Sequence, residues 1–324
     1  MFFNEDFIRG LILLNKDQKI KDLQEEILKL KDKEDFLILA HNYQSIEIQQ
    51  ISDYIADSLQ LAKFAQKSSS KANLLFAAVY FMAEGGAIFN PDKNVYIANY
   101  EAICPMARMA PVSLIKEARE NNPEMPIMMY INTTAEARAQ ADYICTSANC
   151  LKVAKKIGKK EIYFSPDQNL GYYIQNKTGI KVNILPENGC CIVHHKFDAK
   201  YIKKVKNEYP KAIILAHPEC KPEVQELADF VGSTSQMEKH VIQSDEREFI
   251  IVTEQGLIDK LKSETEDKIF YKAGPNPICY NMKKNTLESI KHVMKNKPKE
   301  YIVTVSDEII DKNKKLLEEM IKNS

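Results

Sequence analysis

The chain has 324 residues, with 45 Lys+Arg against 45 Asp+Glu and a formal net charge of zero. That balance argues against a nucleic-acid protein, which carries a basic excess or stripe. With 44% hydrophobic and 28% charged residues, the composition is that of a globular chain with room for two or three domains.

No apolar run approaches the roughly 18 residues of a membrane helix. The opening, MFFNEDFIRGLILLNK, places Glu5 and Asp6 where a secretory signal has positive charge. A cytoplasmic location is therefore expected, with no membrane and no nucleic acid among the partners. The seven cysteines are an odd number without an export signal, so thiols for packing, catalysis or metal are expected rather than disulfides.

In chain order, a helix is expected around residues 18–31. The apolar run FLILA then reads as a buried strand, and Ile46 to Ile55 has helical spacing. A short extended stretch follows, then a helix from Ser58, the strand LLFAAV, another helix and the strand VYIAN. Short continuous apolar runs between helical stretches indicate parallel sheet covered on both faces. A Lys/Glu-rich helix is expected over residues 307–322.

This pattern occurs three times. Asp53-Tyr-Ile-Ala-Asp-Ser58 returns as Asp142-Tyr-Ile-Cys-Thr-Ser147 and as Asp229-Phe-Val-Gly-Ser-Thr234, at shifts of 89 and 87 residues. Seventeen residues before each hydroxyl, a polar residue closes an apolar run: His41, Tyr130 and His217. A later apolar run in each unit is followed by Cys104, Cys191 or Cys279, at shifts of 87 and 88. Three features in one register indicate triplication. The expected fold is α/β, with three homologous three-layer αβα domains of parallel sheet around a pseudo-threefold axis and a central active site. The expected domains are 1–108 with 282–324, 109–195, and 196–281.

Ligands of parallel α/β sheets bind at the carboxyl ends of the strands, where His41, Tyr130, His217, Ser58, Ser147, Thr234 and the three cysteines all fall. A helix start also attracts anions, although a Ser or Thr there is ordinarily only an N-cap. Three thiolates from three units suit zinc or an iron–sulfur cluster. Structural zinc sites usually use short Cys-x2–4-Cys pairs, whereas a cluster accepts ligands from distant loops. With three ligands, one iron stays open as a Lewis acid. Cys145, Cys150, Cys190 and Cys220 break the register and are read as structural.

The chain resembles the quinolinate synthase (NadA) family. The matching segments include Ala40-His-Asn-Tyr-Gln44, Asp57-Ser-Leu59, Phe81-Met-Ala-Glu84, Tyr130-Ile-Asn-Thr133, Thr146-Ser-Ala-Asn149 and Ser165-Pro-Asp167. They continue with Cys191-Ile-Val-His194, His217-Pro-Glu-Cys220, Gly232-Ser-Thr-Ser235, Thr253-Glu254 and Cys279-x-x-Met-Lys283, in order over nearly the whole chain. The adjacent Cys190 competes with Cys191, but the register and the following Ile-Val-His select Cys191.

The resemblance implies an enzyme of NAD (pyridine nucleotide) biosynthesis. Such an enzyme condenses iminosuccinate (iminoaspartate) with dihydroxyacetone phosphate to quinolinate, releasing phosphate and two waters. It implies one [4Fe–4S] cluster per chain on Cys104, Cys191 and Cys279, and a supply of iminosuccinate from an aspartate-oxidising enzyme or aspartate dehydrogenase. Tyr43, Glu219, His194 and His217 would move protons. His41, Ser58, Tyr130, Ile131, Asn132, Ser147, His217, Pro218, Glu219 and Thr234 would hold substrate. Asp167 and Glu254 follow corresponding strands and are read as structural. An electron-transfer iron–sulfur protein and a non-catalytic dicarboxylate sensor are the other classes considered.

Overall fold

The computed structural model describes residues 5–67, 71–274 and 277–323, with side chains from residue 17 onward, so the charge pattern of the opening sixteen residues lies outside the described side chains. Helix α1 (Glu5–Lys33) starts well before the expected residue 18. No proline interrupts it, so nothing in its sequence forces an earlier boundary.

The first unit then runs β1 (Phe36–His41), α2 (Ile46–Gln49), β2 (Tyr54–Ala56), α3 (Ser58–Lys67), β3 (Asn73–Ala77), α4 (Tyr80–Phe89) and β4 (Asn94–Ile97). The second runs α5 (Val112–Asn121), β5 (Ile127–Tyr130), α6 (Ala135–Arg138), β6 (Tyr143–Cys145), α7 (Cys150–Ile157), β7 (Glu161–Ser165), α8 (Gln168–Thr178) and β8 (Lys181–Ile184). The third runs α9 (Ala199–Glu208), β9 (Ile213–Ala216), α10 (Pro222–Gln225), β10 (Phe230–Val231), α11 (Thr234–Gln243), β11 (Glu248–Val252), α12 (Gln255–Glu264) and β12 (Ile269–Lys272). Helices α13 (Leu287–Asn296) and α14 (Asp307–Lys322) complete the chain.

The three sheets have one topology: β2-β1-β3-β4, β6-β5-β7-β8 and β10-β9-β11-β12. Every strand pair within them is parallel. The chain is therefore an α/β protein of three repeated, helix-covered parallel sheets, as its periodicity implies.

The helical spacing of Ile46–Ile55 is not realised as one helix. Only one turn forms, and the chain then enters the sheet edge as β2. Asp53 redirects it: its amide donates to Ile38 O (2.9 Å) and its carboxylate accepts from Ile38 N (2.8 Å). Asp142 does the same to Ile127 at 2.9 and 2.8 Å, and Asp229 to Ile214 at 2.9 and 2.8 Å. The Asp that opens each repeated hexapeptide is thus a clamp that aligns an edge strand.

Helix α13 packs its buried Leu287, Ile290, Val293 and Met294 against Ile38, Ala40, Leu75 and Ala77 of the first sheet. Ile115 of α5 and Ile202 of α9 serve the second and third sheets in the same way. The chain's end therefore gives the first unit the covering helix that the other two receive from their own leading segment. Helix α14 packs against β6 and α4, and its Leu317 and Met320 join one core continuous through the first and second units. Among the described residues, no helix is long and apolar enough to cross a membrane.

Candidate active site

The loops after the carboxyl ends of the strands meet at one internal cavity of about 70 Å³. It is lined by all nine register residues: His41, Tyr130 and His217; Ser58, Ser147 and Thr234; Cys104, Cys191 and Cys279. Tyr43, Asn132 and Glu219 also line it. Ile131 and Pro218 do not. Their carbonyls face away, toward Arg138 and Gln225 (Nη1···O 3.1 Å and Nε2···O 2.8 Å).

His194 stands behind the lining and joins its parts. Its Nδ1 lies 2.7 Å from Glu219 Oε2 and 3.2 Å from Cys191 Sγ. Its Nε2 lies 2.8 Å from Thr253 Oγ1 and 3.3 Å from the Tyr43 hydroxyl. The ring stacks on His217 at 4.4 Å.

With Nδ1–H donated to a carboxylate, Nε2 is left as an acceptor for a hydroxyl proton. Tyr43, Thr253, His194 and Glu219 thus form one hydrogen-bonded relay. The Tyr130 hydroxyl donates to Glu219 and accepts from Ser147. Asn132 Nδ2 approaches Glu219 Oε1 at 3.5 Å, while the buried Asn132 Oδ1 has no partner among the described residues.

Electrostatics sets which of these groups carry charge. Burial opposes the Glu219 charge, but His217, His194 and Tyr130 outweigh it and pull its pKa down to about 2. Burial and the Glu219 charge push Tyr43 and Tyr130 well above the usual phenol range. Burial lowers His41 and His217 to about 3, so both are neutral at pH 7. Their Nδ1 atoms accept from the backbone N–H of Tyr43 (3.1 Å) and Glu219 (3.3 Å). That arrangement leaves the proton on Nε2, a donor for a carboxylate.

The three hydroxyls sit near helix starts, but none is the cap. The α3 capping carboxylate is Asp57, accepting from Gln60 N at 3.0 Å. For α11 the cap is Ser233, which makes a capping box with Gln236. Ser147 lies in a turn three residues before α7 rather than at the start of the helix, because Asn149 Oδ1 closes that turn onto Thr146 N at 2.8 Å. Thr234 Oγ1 instead accepts from Asn42 Nδ2 at 2.9 Å.

A family model described as quinolinate synthetase A protein matches residues 25–322. The chain is 46% identical to the quinolinate synthase of Thermotoga maritima over 291 residues, which is 90% of this chain and 96% of that protein. It is 42% identical to the quinolinate synthase of Methanocaldococcus jannaschii over 306 residues, covering 93% and 99%. It is also 42% identical to that of Pyrococcus horikoshii over 303 residues, covering 94% and 99%. The chain belongs to the quinolinate synthetase A family.

The donor set suits the three-cysteine cluster that resemblance to this family implies. Each cysteine is followed by a 3₁₀ turn, Met106–Arg108, His194–Lys196 or Met282–Lys284. Amides in those turns donate to sulfur: Ala107 and Met106 to Cys104, His194 to Cys191, Met282 and Asn281 to Cys279. Burial pushes the Cys104 thiol up to about 12 and raises the other two, so each keeps its proton near pH 7 unless a cation is bound beside it. Among the described residues, the group of three ligand atoms within 4.8 Å of one another is Cys191, His194 and Glu219, already joined by hydrogen bonds. The three cysteines together form no such close group.

Cys145, Cys150 and Cys220 lie in apolar cores, and Cys190 is half-buried outside the cavity lining. Asp167 and Glu254 hold the cysteine loops, in keeping with the structural reading. Asp167 Oδ2 accepts from Cys191 N (2.9 Å) and Glu254 Oε1 from Cys279 N (3.0 Å), so each fixes a cysteine loop. Lys283 pairs with Glu254 at 3.1 Å and donates to Tyr43 O, tying the third cysteine loop to the Tyr43 loop. Thr253, not among the expected site residues, hydrogen-bonds both Tyr43 and His194. The signal available for these was their position after β7 and β11, equivalent strands at one end of the sheets.

Proposed function

We propose that this chain condenses iminosuccinate with dihydroxyacetone phosphate to quinolinate, releasing phosphate and two waters, in NAD biosynthesis in the cytoplasm. The observation that carries the reading is the convergence of all nine register residues on one cavity, in a chain of this family. Iminosuccinate would come from an aspartate-oxidising enzyme or aspartate dehydrogenase.

Cys104, Cys191 and Cys279 would hold one [4Fe–4S] cluster per chain. Their sulfurs are spread more widely than a single tetrahedral zinc with Zn–S near 2.3 Å would gather. When bound, the cluster supplies an open Lewis-acid iron beside the departing hydroxyl of a dehydration.

The remaining roles belong to side chains. The neutral His41 and His217 present Nε2–H to carboxylate oxygens. Ser58, Ser147, Thr234 and Asn132 hydrogen-bond the dicarboxylate and the phosphate-bearing partner. The helix starts of α3 and α11 supply partial positive charge, since among the described residues no Lys or Arg lines the cavity. The ionised Glu219 is the base for carbon-bound protons. Tyr43, protonated and linked through His194 to Glu219, returns protons to leaving oxygens, and Tyr130 stands by as a second donor.

The test is anaerobic purification with iron and sulfide analysis, followed by chromatographic measurement of quinolinate from generated iminosuccinate and dihydroxyacetone phosphate. Cluster-dependent quinolinate is expected. Stoichiometric zinc, or a cluster-loaded chain that makes none, refutes the proposal.

A further inference from the structure

Eight residues after each of His41, Tyr130 and His217 comes a buried donor side chain: Gln49, Arg138 and Gln225. Each is the last residue of a one-turn helix, α2, α6 or α10. Gln49 Nε2 donates to the carbonyls of Asn42 (3.3 Å) and Gln44 (2.9 Å). Gln225 Nε2 donates to those of Pro218 (2.8 Å) and Cys220 (2.7 Å). Arg138 Nη1 donates to those of Ile131 (3.1 Å) and Thr133.

In each loop the residues between and before these carbonyls face the cavity: His41 and Tyr43, Tyr130 and Asn132, His217 and Glu219. The clamp therefore holds the back of the strip whose front carries the reacting groups. A further bond from each clamp crosses to another unit. Gln49 reaches Gly256 O of α12 (3.2 Å), Arg138 reaches Glu84 of α4 (3.4 Å), and Gln225 reaches Asn169 O on α8 (3.0 Å). The links run first unit to third, second to first and third to second, closing a ring.

Resting on the function proposed above, we propose that Gln49, Arg138 and Gln225 are positioning residues. Each sets two cavity-facing side chains and ties its loop to a neighbouring unit, so that the site is assembled only when all three interfaces are closed. Arg138 stands where the other two repeats use Gln, and this supplies a controlled comparison.

The double variants Arg138→Gln with Glu84→Gln, and Arg138→Met with Glu84→Gln, both remove the buried ion pair. Only the first keeps an amide for the Ile131 and Thr133 carbonyls. Each would be purified with its cofactor and assayed for kcat and KM well below its melting temperature. Affinity for malate, a non-reacting dicarboxylate of the same length as iminosuccinate, would be measured in parallel.

The Gln variant is expected to keep at least a third of kcat. The Met variant is expected to lose about tenfold or more in kcat and several-fold in malate affinity. If the two differ in melting temperature alone, with matching kcat, KM and malate affinity, the clamp is structural and the proposal is overturned. Should the Met variant not fold, Gln225→Met read against wild type by the same three quantities decides. Malate affinity reports on the clamp whether or not quinolinate is the product.

Discussion

Replacing Glu219 by Gln keeps the shape of the side chain and removes its charge. In the wild-type chain the carboxylate accepts from His194 Nδ1 at 2.7 Å and from the Tyr130 hydroxyl, with Asn132 at 3.5 Å. His217, His194 and Tyr130 together outweigh burial and hold its pKa at about 2 against an ordinary 4.5, which favours the charged form by about 3 kcal/mol at 1.36 kcal/mol per unit. The folded pKa is depressed, so that stability is present above pH 4.5 and lost as pH falls through about 2. Gln forfeits it but avoids burying a charge, and Asn132 can turn its unpartnered Oδ1 toward the new amide. The net loss of stability is therefore expected at about 1–3 kcal/mol. Turnover is expected to fall 10²-fold or more, the scale of a positioned proton carrier, with iron content and malate binding retained. The assay is steady-state quinolinate formation beside thermal melting. Wild-type turnover in Glu219→Gln refutes the assignment of the base. A melting temperature lowered by more than about 10 °C would show instead that the carboxylate chiefly supports the fold.

Ser replacement of Cys104, Cys191 or Cys279 is expected to abolish activity and lower iron from about four per chain, whereas Cys145, Cys150, Cys190 or Cys220→Ser retains both; full activity in Cys279→Ser sinks the assignment. Ser58→Ala, Ser147→Ala and Thr234→Ala are expected to weaken malate binding by about 1–3 kcal/mol with little change in melting, because the helix caps lie on other residues; unchanged affinity in all three refutes the convergent site. Asp53→Ala, Asp142→Ala and Asp229→Ala each remove one backbone clamp, at about 1–2 kcal/mol by denaturant titration, and a cost confined to one position contradicts the threefold role. In the metal-free chain, the lowered His41 and His217 pKa values make stability fall as pH drops from 6.5 toward 3, since the unfolded chain binds those protons and the folded chain does not. Burial raises Glu84 to about 7 and also raises Asp167 and Glu254, and the folded chain takes up those protons before the unfolded one, so these three groups oppose the histidines as pH falls toward 4.5. The net fall is therefore expected below pH 4.5, where Glu84 and Glu254 no longer differ between the two states and Glu219 adds to the loss, and a urea midpoint that stays flat from pH 4.5 toward 3 refutes the buried neutral histidines.

Much of this protein is written locally. Apolar runs of four to six residues can only be satisfied by burial on both faces, so strands such as FLILA and the parallel sheets they form follow from the sequence. The triplication follows from the register of the hexapeptides and cysteines, and with it the nine residues that line the cavity. The recurrence of the hydroxyls beside helix starts was likewise legible in the register.

Other features depend on atoms distant in the chain. Ile46–Ile55 has helical spacing, yet only the Asp53–Ile38 pairing shows why one turn gives way to a strand. Asp167, Thr253 and Glu254 could be placed after equivalent strands, but a hydrogen bond to a cysteine amide or to His194 has no local signature. Glu219 and His194 entered only through the family resemblance, in His217-Pro-Glu-Cys220 and Cys191-Ile-Val-His194. The low pKa of Glu219 and the hydrogen bonds of His194 depend on Tyr130, Tyr43 and Thr253 brought together from three units, since a pKa is set by burial and by charges within a few ångströms. The ring of Gln49, Arg138 and Gln225 is the clearest case. A buried amide or guanidinium reads in sequence as an ordinary polar residue on a short helix, and only the packed structure shows which carbonyls it holds, because hydrogen-bond partners are chosen by proximity in space and not along the chain.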